Sequence, residues 1–477
     1  MGFSDVIDGG RMAAGGLRDF ATGFLNPTVR LGVTGLSRSG KTVFITALVH
    51  ALLKRARLPL FEAHARGRIR RAYLEPQPDD DLPRFAYEDH LSALTGAQRA
   101  WPESTRRISQ LRLTLEYEPQ GFFAGSLHGG KLHIDIVDYP GEWLLDLPLL
   151  SQSYQQWSAT TLAASRKGPR LAHARVWHDM LATLKPSAPV DEQVVMTSAK
   201  LFTAYLARCR GDDVSLSALP PGRFLMPGDL AGSPLLSFSP LDMTPDEALV
   251  PGTLAGLMAR RYDSYVAKIV KPFFYGYFAR LDRQIVLVDV LSALNAGPDA
   301  VADLRLALND VLTCFRTGSN SFLSGLFGKR IDRVLFAATK ADMLHHASHD
   351  RLENILRHLV SDAAERAGVQ GAEHDVAALA AIRATREATV TERGEALACI
   401  VGVPQSGEVM GRSHFDGAKE AAVFPGDLPG DAARALDGSL AGLLKFLRFR
   451  PPHLKEGTFP HVRLDRAIEF LIGDRFA

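Results

Sequence analysis

Residues 29–53 read VRLGVTGLSRSGKTVFITALVHALL, and the class of fold follows from them. An apolar run from Val29 closes on Gly35, as a buried strand does. Gly35-Leu36-Ser37-Arg38-Ser39-Gly40-Lys41-Thr42 then fits G-x-x-x-x-G-K-[ST], a Walker A phosphate loop. The glycines let backbone amides turn inward around phosphate oxygens. A helix opening at Lys41 adds its free N–H groups and the positive end of its dipole. Val43, Ala47, Leu48, Ala51 and Leu52 recur at helical spacing and give that helix an apolar face. Ser37, Arg38, Ser39, Gly40, Lys41, Thr42 and Val43 are therefore the expected nucleotide-binding residues. Lys41 would neutralise the β- and γ-phosphates, and Thr42 would bind Mg²⁺.

Downstream, KLHIDIVDYPG (131–141) is a strand ending in an acidic turn. Asp138 at its end can face the loop and hold Mg²⁺. The D-x-x-G spacing to Gly141 lets an amide sense the γ-phosphate. Glu142 stands where a water-orienting residue is expected, and its carboxylate would also repel that phosphate. Asp289 ends another apolar strand and competes for the metal, but it lacks a glycine three residues on and suits a structural turn better. Thr339-Lys340-Ala341-Asp342 matches [NT]-K-x-D after the apolar run Val334–Ala338. A carboxylate at Asp342 accepts guanine N1–H and the exocyclic amine, an arrangement that adenine does not offer, while Lys340 lies along the base.

Thr105, in WPESTRRISQLRL, precedes the strand of residues 109–119 and is the candidate switch threonine, a second hydroxyl for Mg²⁺. Arg106 or Arg107 beside it could stabilise charge on the departing phosphate; a solvated basic turn is the alternative. Trp101 can stack on the base edge or pack the switch shut. Ile382-Arg383-Ala384-Thr385 lies where backbone N–H groups support the guanine carbonyl, with VGVP (401–404) as competitor. His345, His346 and His349 have metal-ligand spacing, although a solvated helix start explains them better.

The rest of the chain agrees. Strands alternate with helices, which implies a mostly parallel α/β sheet covered on both faces. Residues 1–28 form a lead-in. Residues 29–143 and 281–477 read as the nucleotide-binding core with C-terminal additions, and 144–280 as a mainly helical insertion. Strands are expected at 284–297, 333–342, 375–385, 396–404 and 443–452. Of 477 residues, 46% are hydrophobic, enough for a sizeable core. Lys plus Arg number 55 against 53 Asp plus Glu, so no nucleic-acid partner is expected. The basic run from Lys54 to Arg71 could touch an acidic lipid surface or partner, but Asp79, Asp80 and Asp81 offset it and a solvated face explains it better. Three scattered cysteines suit a reducing compartment. With neither a transmembrane run nor a signal peptide evident, a cytoplasmic location is expected.

TGLSRSGKT, WPxST, VDYPGEWLLDLPLL, VDVLSALNAG, TKAD, IRAT, PGDLP (425–429) and LDRAIEFLIGD (464–474) together resemble the bacterial YcjX-like P-loop GTPases, in the same order, over residues ~28–477. The resemblance implies a Ras-like core with a helical insertion and a cytosolic protein associated with stress response. It implies GTP/GDP and Mg²⁺ as ligands. It leaves room for a peripheral role at the inner membrane through a protein effector that the sequence does not identify. A slow GTP-hydrolysing switch is the leading expectation. A non-switching nucleotide-binding scaffold and a P-loop small-molecule kinase are the alternatives, and TKAD argues against the kinase.

Overall fold

The structure, a computed structural model, describes residues 27–476 except 36–38, 104, 106, 120–129, 212–213, 245, 314–330, 370–372 and 393. Seven strands form the central sheet: β1 Thr28–Gly35, β2 Ile69–Glu75, β3 Ser109–Tyr117, β4 Lys131–Asp138, β5 Arg283–Val288, β6 Arg333–Ala338 and β7 Glu373–Ala378. Their order is β2-β3-β4-β1-β5-β6-β7. Pairing is parallel from β4 through β7 and antiparallel for β2–β3 and β3–β4. This is the α/β, mostly parallel P-loop architecture expected.

Side-chain alternation along β1 sets the two faces. Val29, Leu31 and Val33 point into one core with helices Lys41–Leu53 and Leu464–Ile472. On the opposite face Gly32 leaves room for Leu281, whose Cδ1 would lie 2.4 Å from any Cβ there. Helices Val290–Ala296, Pro298–Thr313 and His349–Val369 cover β5, β6 and β7 on that side. All six residues of β5 are buried, as a central parallel strand requires.

Helix Lys41–Leu53 departs from the one-sided pattern expected. Only Val43 and Leu53 escape full burial. The sheet packs on one side, and Tyr87, Leu94, Phe459 and Ile468 close the other. His50 ties these layers, with Nδ1 3.0 Å from the Tyr87 hydroxyl and Nε2 2.8 Å from the Gly457 carbonyl.

Two further expectations change. Part of the basic run becomes edge strand β2, whose exposed Arg70 and Arg71 masked its strand character. Residues 443–452 form no ladder. Strand β9, Glu395–Gly402, has both edges taken by β8, Arg386–Glu392, and by Ala421–Val423, so 443–452 meets this region through one bridge, Pro404 to Phe449, and the packing of Leu447 and Phe449.

Between β4 and β5 the chain runs through a 3-10 stretch, Gly141–Ser151, and then mainly helices. The longest are Tyr154–Ser165, Arg170–Leu181, Glu192–Cys209 and Leu254–Tyr265. Ser153 starts the first with a capping box, and Asp191 caps the third. Trp157, Trp177, Phe202, Phe238 and Tyr262 form an aromatic core there. That core also includes Val137, Tyr139, Trp143 and Leu281, so the helical layer packs directly on the end of β4.

Candidate nucleotide site

The carboxyl ends of β1, β4 and β6 bring the phosphate loop, the D-Y-P-G turn and the T-K-A-D turn to one edge of the sheet, where α/β proteins bind ligands. Parallel pairing of β1 with β4 sets Val33 opposite Asp138. Gly40 adopts φ 85° immediately before helix Lys41–Leu53, the left-handed conformation glycine tolerates. At Gly35 space is the constraint. A Cβ there would fall 2.3 Å from the Ser39 hydroxyl and 2.7 Å from the Leu287 carbonyl.

Thr42, Thr105 and Asp138 are joined in one chain of contacts. The Thr105 hydroxyl donates to Asp138 Oδ2 at 2.6 Å. Thr42 Oγ1 lies 3.1 Å from Thr105 Oγ1 and also reaches the Glu103 carbonyl at 3.5 Å. Among the described residues, the other Asp138 oxygen, Oδ1, and the Ser39 hydroxyl are buried with no hydrogen-bond partner. Burial pushes the Asp138 carboxyl up to about 6, against the opposing pull of Lys41 and the Thr105 hydrogen bond. Lys41 is buried, with its ammonium 3.3 Å from the Gly35 carbonyl.

Gly141 lies directly on the phosphate loop. A Cβ on it would fall 1.6 Å from the Gly35 carbonyl oxygen and 3.2 Å from the Lys41 ammonium. Glu142 differs from expectation. Its buried carboxylate is not open to water but paired with Arg210 at 2.6 Å. Arg210 ends helix Glu192–Cys209. No local motif marks it, because the pair forms only in the folded chain.

At the other end of the site, Lys340 adopts φ 60° and precedes the turn Ala341–Met343. Its ammonium pairs with Asp289. Asp289 also caps helix Val290–Ala296 through the Ser292 N–H and hydroxyl, so it acts as a structural anchor. Asp342 Oδ2 accepts the Ala384 N–H at 2.8 Å, and the Thr385 hydroxyl donates to the Asp342 carbonyl at 2.5 Å. Burial pushes the Asp342 carboxyl up to about 6. Within I-R-A-T, then, Ala384 and Thr385 meet Asp342. Ile382 is buried in the core below, and the Arg383 N–H is taken by the Pro460 carbonyl. VGVP falls in and after β9, in a different sheet.

Other expected residues are placed as follows. Trp101 donates its indole N–H to the Phe449 carbonyl at 2.7 Å and packs, partly buried, on the first core, where it anchors the C-terminal segment. Val43 packs partly buried against the same core. Arg107 is exposed. Ser37, Arg38 and Arg106 lie outside the described residues. His345 and His346 meet Glu387, whereas His349 is buried with Nε2 2.9 Å from the Ala341 carbonyl. Among the described residues, no helix is long and apolar enough to cross a membrane.

Comparison with known proteins gives concordant matches. The profile of the YcjX-like family, DUF463, matches residues 29–476. The chain is similar to a protein named Ras-like GTPase YcjX from Escherichia coli (strain K12), with 39% identity over 94% of this chain and 96% of the relative. It is similar to a protein of the same name from Shewanella oneidensis, with 35% identity over 94% of each chain.

Proposed function

This chain belongs to the YcjX-like family, and on that premise we propose that it is a Mg²⁺-dependent guanine-nucleotide switch that slowly hydrolyses GTP. The observation that carries the reading is the chain Thr42–Thr105–Asp138, together with two buried oxygens, Ser39 Oγ and Asp138 Oδ1, that find no partner among the described residues. Buried polar atoms are normally satisfied, so this pair calls for a ligand. The residues fit Mg²⁺, a hard cation that takes oxygen donors. Thr42, Thr105 and Asp138 would hold it, and the ion would supply positive charge to the phosphates.

This chain's own residues do the rest. Lys41 lies within the loop as the phosphate-neutralising cation. The Gly141 backbone, seated on Gly35, closes the phosphate end and reads whether a γ-phosphate is present. Thr105 and the 138–143 turn are the elements that reorder on hydrolysis, since one hydrogen bond to Asp138 links them. Asp342, held by Ala384 and Thr385, selects guanine. Residues 144–280 act as a helical insertion that receives the movement through Glu142 and Trp143.

The test is direct binding of GTP and ATP to the full chain with Mg²⁺, together with phosphate release. GTP binding at least tenfold tighter than ATP, with slow phosphate release, is expected. Equal affinity would favour the kinase alternative, and tight GTP binding without turnover the scaffold.

A further inference from the structure

We infer that Arg210 determines how well the site accepts a triphosphate relative to a diphosphate, by neutralising Glu142. The inference rests on the reading above and extends it to a residue far from every nucleotide-binding motif.

Glu142 follows Gly141, and a Cβ on Gly141 would lie 3.2 Å from the Lys41 ammonium. Glu142 is therefore one residue from the proposed γ-phosphate end. Its side chain is 6% exposed, so solvent screens it poorly. An unpaired carboxylate there would repel a γ-phosphate and act less on a diphosphate, whose charge lies farther along the loop. Arg210 removes that repulsion at a separation of 2.6 Å.

The Glu142 side of the pair is fixed independently. A Cβ on Gly222 would fall 1.7 Å from the Glu142 carbonyl, so the two backbones are in direct contact. The Gly222 N–H donates to Asp146 at 2.7 Å, and Tyr265 donates to the other oxygen of the same carboxylate. The Trp143 indole donates to the Met226 carbonyl at 3.1 Å. The Arg223 guanidinium stacks on the Trp143 ring and faces Asp229, so its charge is directed elsewhere. Glu142 is thus held in place, and Arg210, which ends helix Glu192–Cys209, acts on the nucleotide through it, as a positioning residue.

The experiment measures affinities of GDP and the β,γ-imido analogue of GTP, with Mg²⁺, for the full chain and its variants. Arg210→Ala is expected to weaken the analogue by about tenfold more than GDP. Arg210→Lys, which keeps the charge, should hold the ratio within about threefold of wild type. Adding Glu142→Gln to Arg210→Ala should restore the ratio, since no charge is left to compensate. Glu142→Gln alone removes one negative charge beside the site while Arg210 keeps its own, and should shift preference several-fold toward the triphosphate; it keeps the test open if Arg210→Ala does not fold. Equal weakening of both nucleotides, or a ratio not restored in the double variant, overturns the inference and leaves Arg210 a structural tie. Wild-type protein that binds neither nucleotide overturns the underlying reading instead.

Discussion

The backbone of Gly141 rests on the carbonyl of Gly35, so closely that a Cβ on Gly141 would fall 1.6 Å from that oxygen. The same short segment meets a second backbone on its far side, Gly222 against the Glu142 carbonyl, where a Cβ would fall 1.7 Å away. The turn after β4 is thus sandwiched between the phosphate loop and the helical layer, and glycine on both sides makes the approach possible.

Gly141→Ala cannot preserve this contact, because a backbone carbonyl does not yield like the tip of a side chain. The turn must lift off the loop. The expected outcome is a loss of GTP hydrolysis of at least about tenfold, with GDP affinity changed by less than about threefold. Single-turnover phosphate release beside GDP titration checks it; hydrolysis at the wild-type rate would show that the turn does not read the γ-phosphate.

Lys41→Ala removes the buried ammonium from the loop while leaving its backbone in place. A hydrogen bond to a charged group is worth about 1.5–3 kcal/mol, which corresponds to roughly 10- to 150-fold in affinity. Titration with GDP and GTP in Mg²⁺ should show this loss for both nucleotides. Wild-type affinity would mean the phosphates lie elsewhere.

Asp138 gives a pH-dependent stability. Burial raises its carboxyl to about 6 in the nucleotide-free fold, so folding disfavours the ionised form. The stability tied to its protonated form is fully present below the unfolded value, 3.8, and is lost as pH rises through about 6. Asp138→Asn removes that loss. The nucleotide-free variant should be more stable than wild type at pH 7 by up to about 3 kcal/mol, a difference that closes toward pH 4. Urea unfolding at both pH values, with chelator present, checks the sign. The same variant should lose the Mg²⁺ dependence of nucleotide binding.

Much of this architecture is legible in local sequence. The runs at Val29, Ile134, Ile285 and Val334 are apolar, short and followed by turn residues, and each is a strand of the central sheet. Strand β2 was hidden because Arg70 and Arg71 are exposed at the sheet edge, which removes the apolar signal. Residues 443–452 look like a strand, but the edges that would pair them are already occupied. In the site, Thr42, Thr105 and Asp138 each stand in a motif of their own, whereas their mutual contact requires β1 and β4 to lie side by side. Arg210 and Gly222 carry no local signal at all. Their significance arises from packing against Glu142, a relationship that exists only in three dimensions.

Base recognition is the claim on which the account depends most, and exchanging one atom of Asp342 tests it. Asp342 lies buried beneath the Ala384 N–H, and its carboxylate is the proposed acceptor for the guanine N1–H and amine. Asp342→Asn places an amide donor there, matched to the carbonyl of xanthine. The measurement is the affinity of GTP and XTP for both proteins with Mg²⁺. The variant is expected to lose at least about tenfold for GTP and to gain comparably for XTP. Unchanged GTP affinity in the variant, with no gain for XTP, would contradict it.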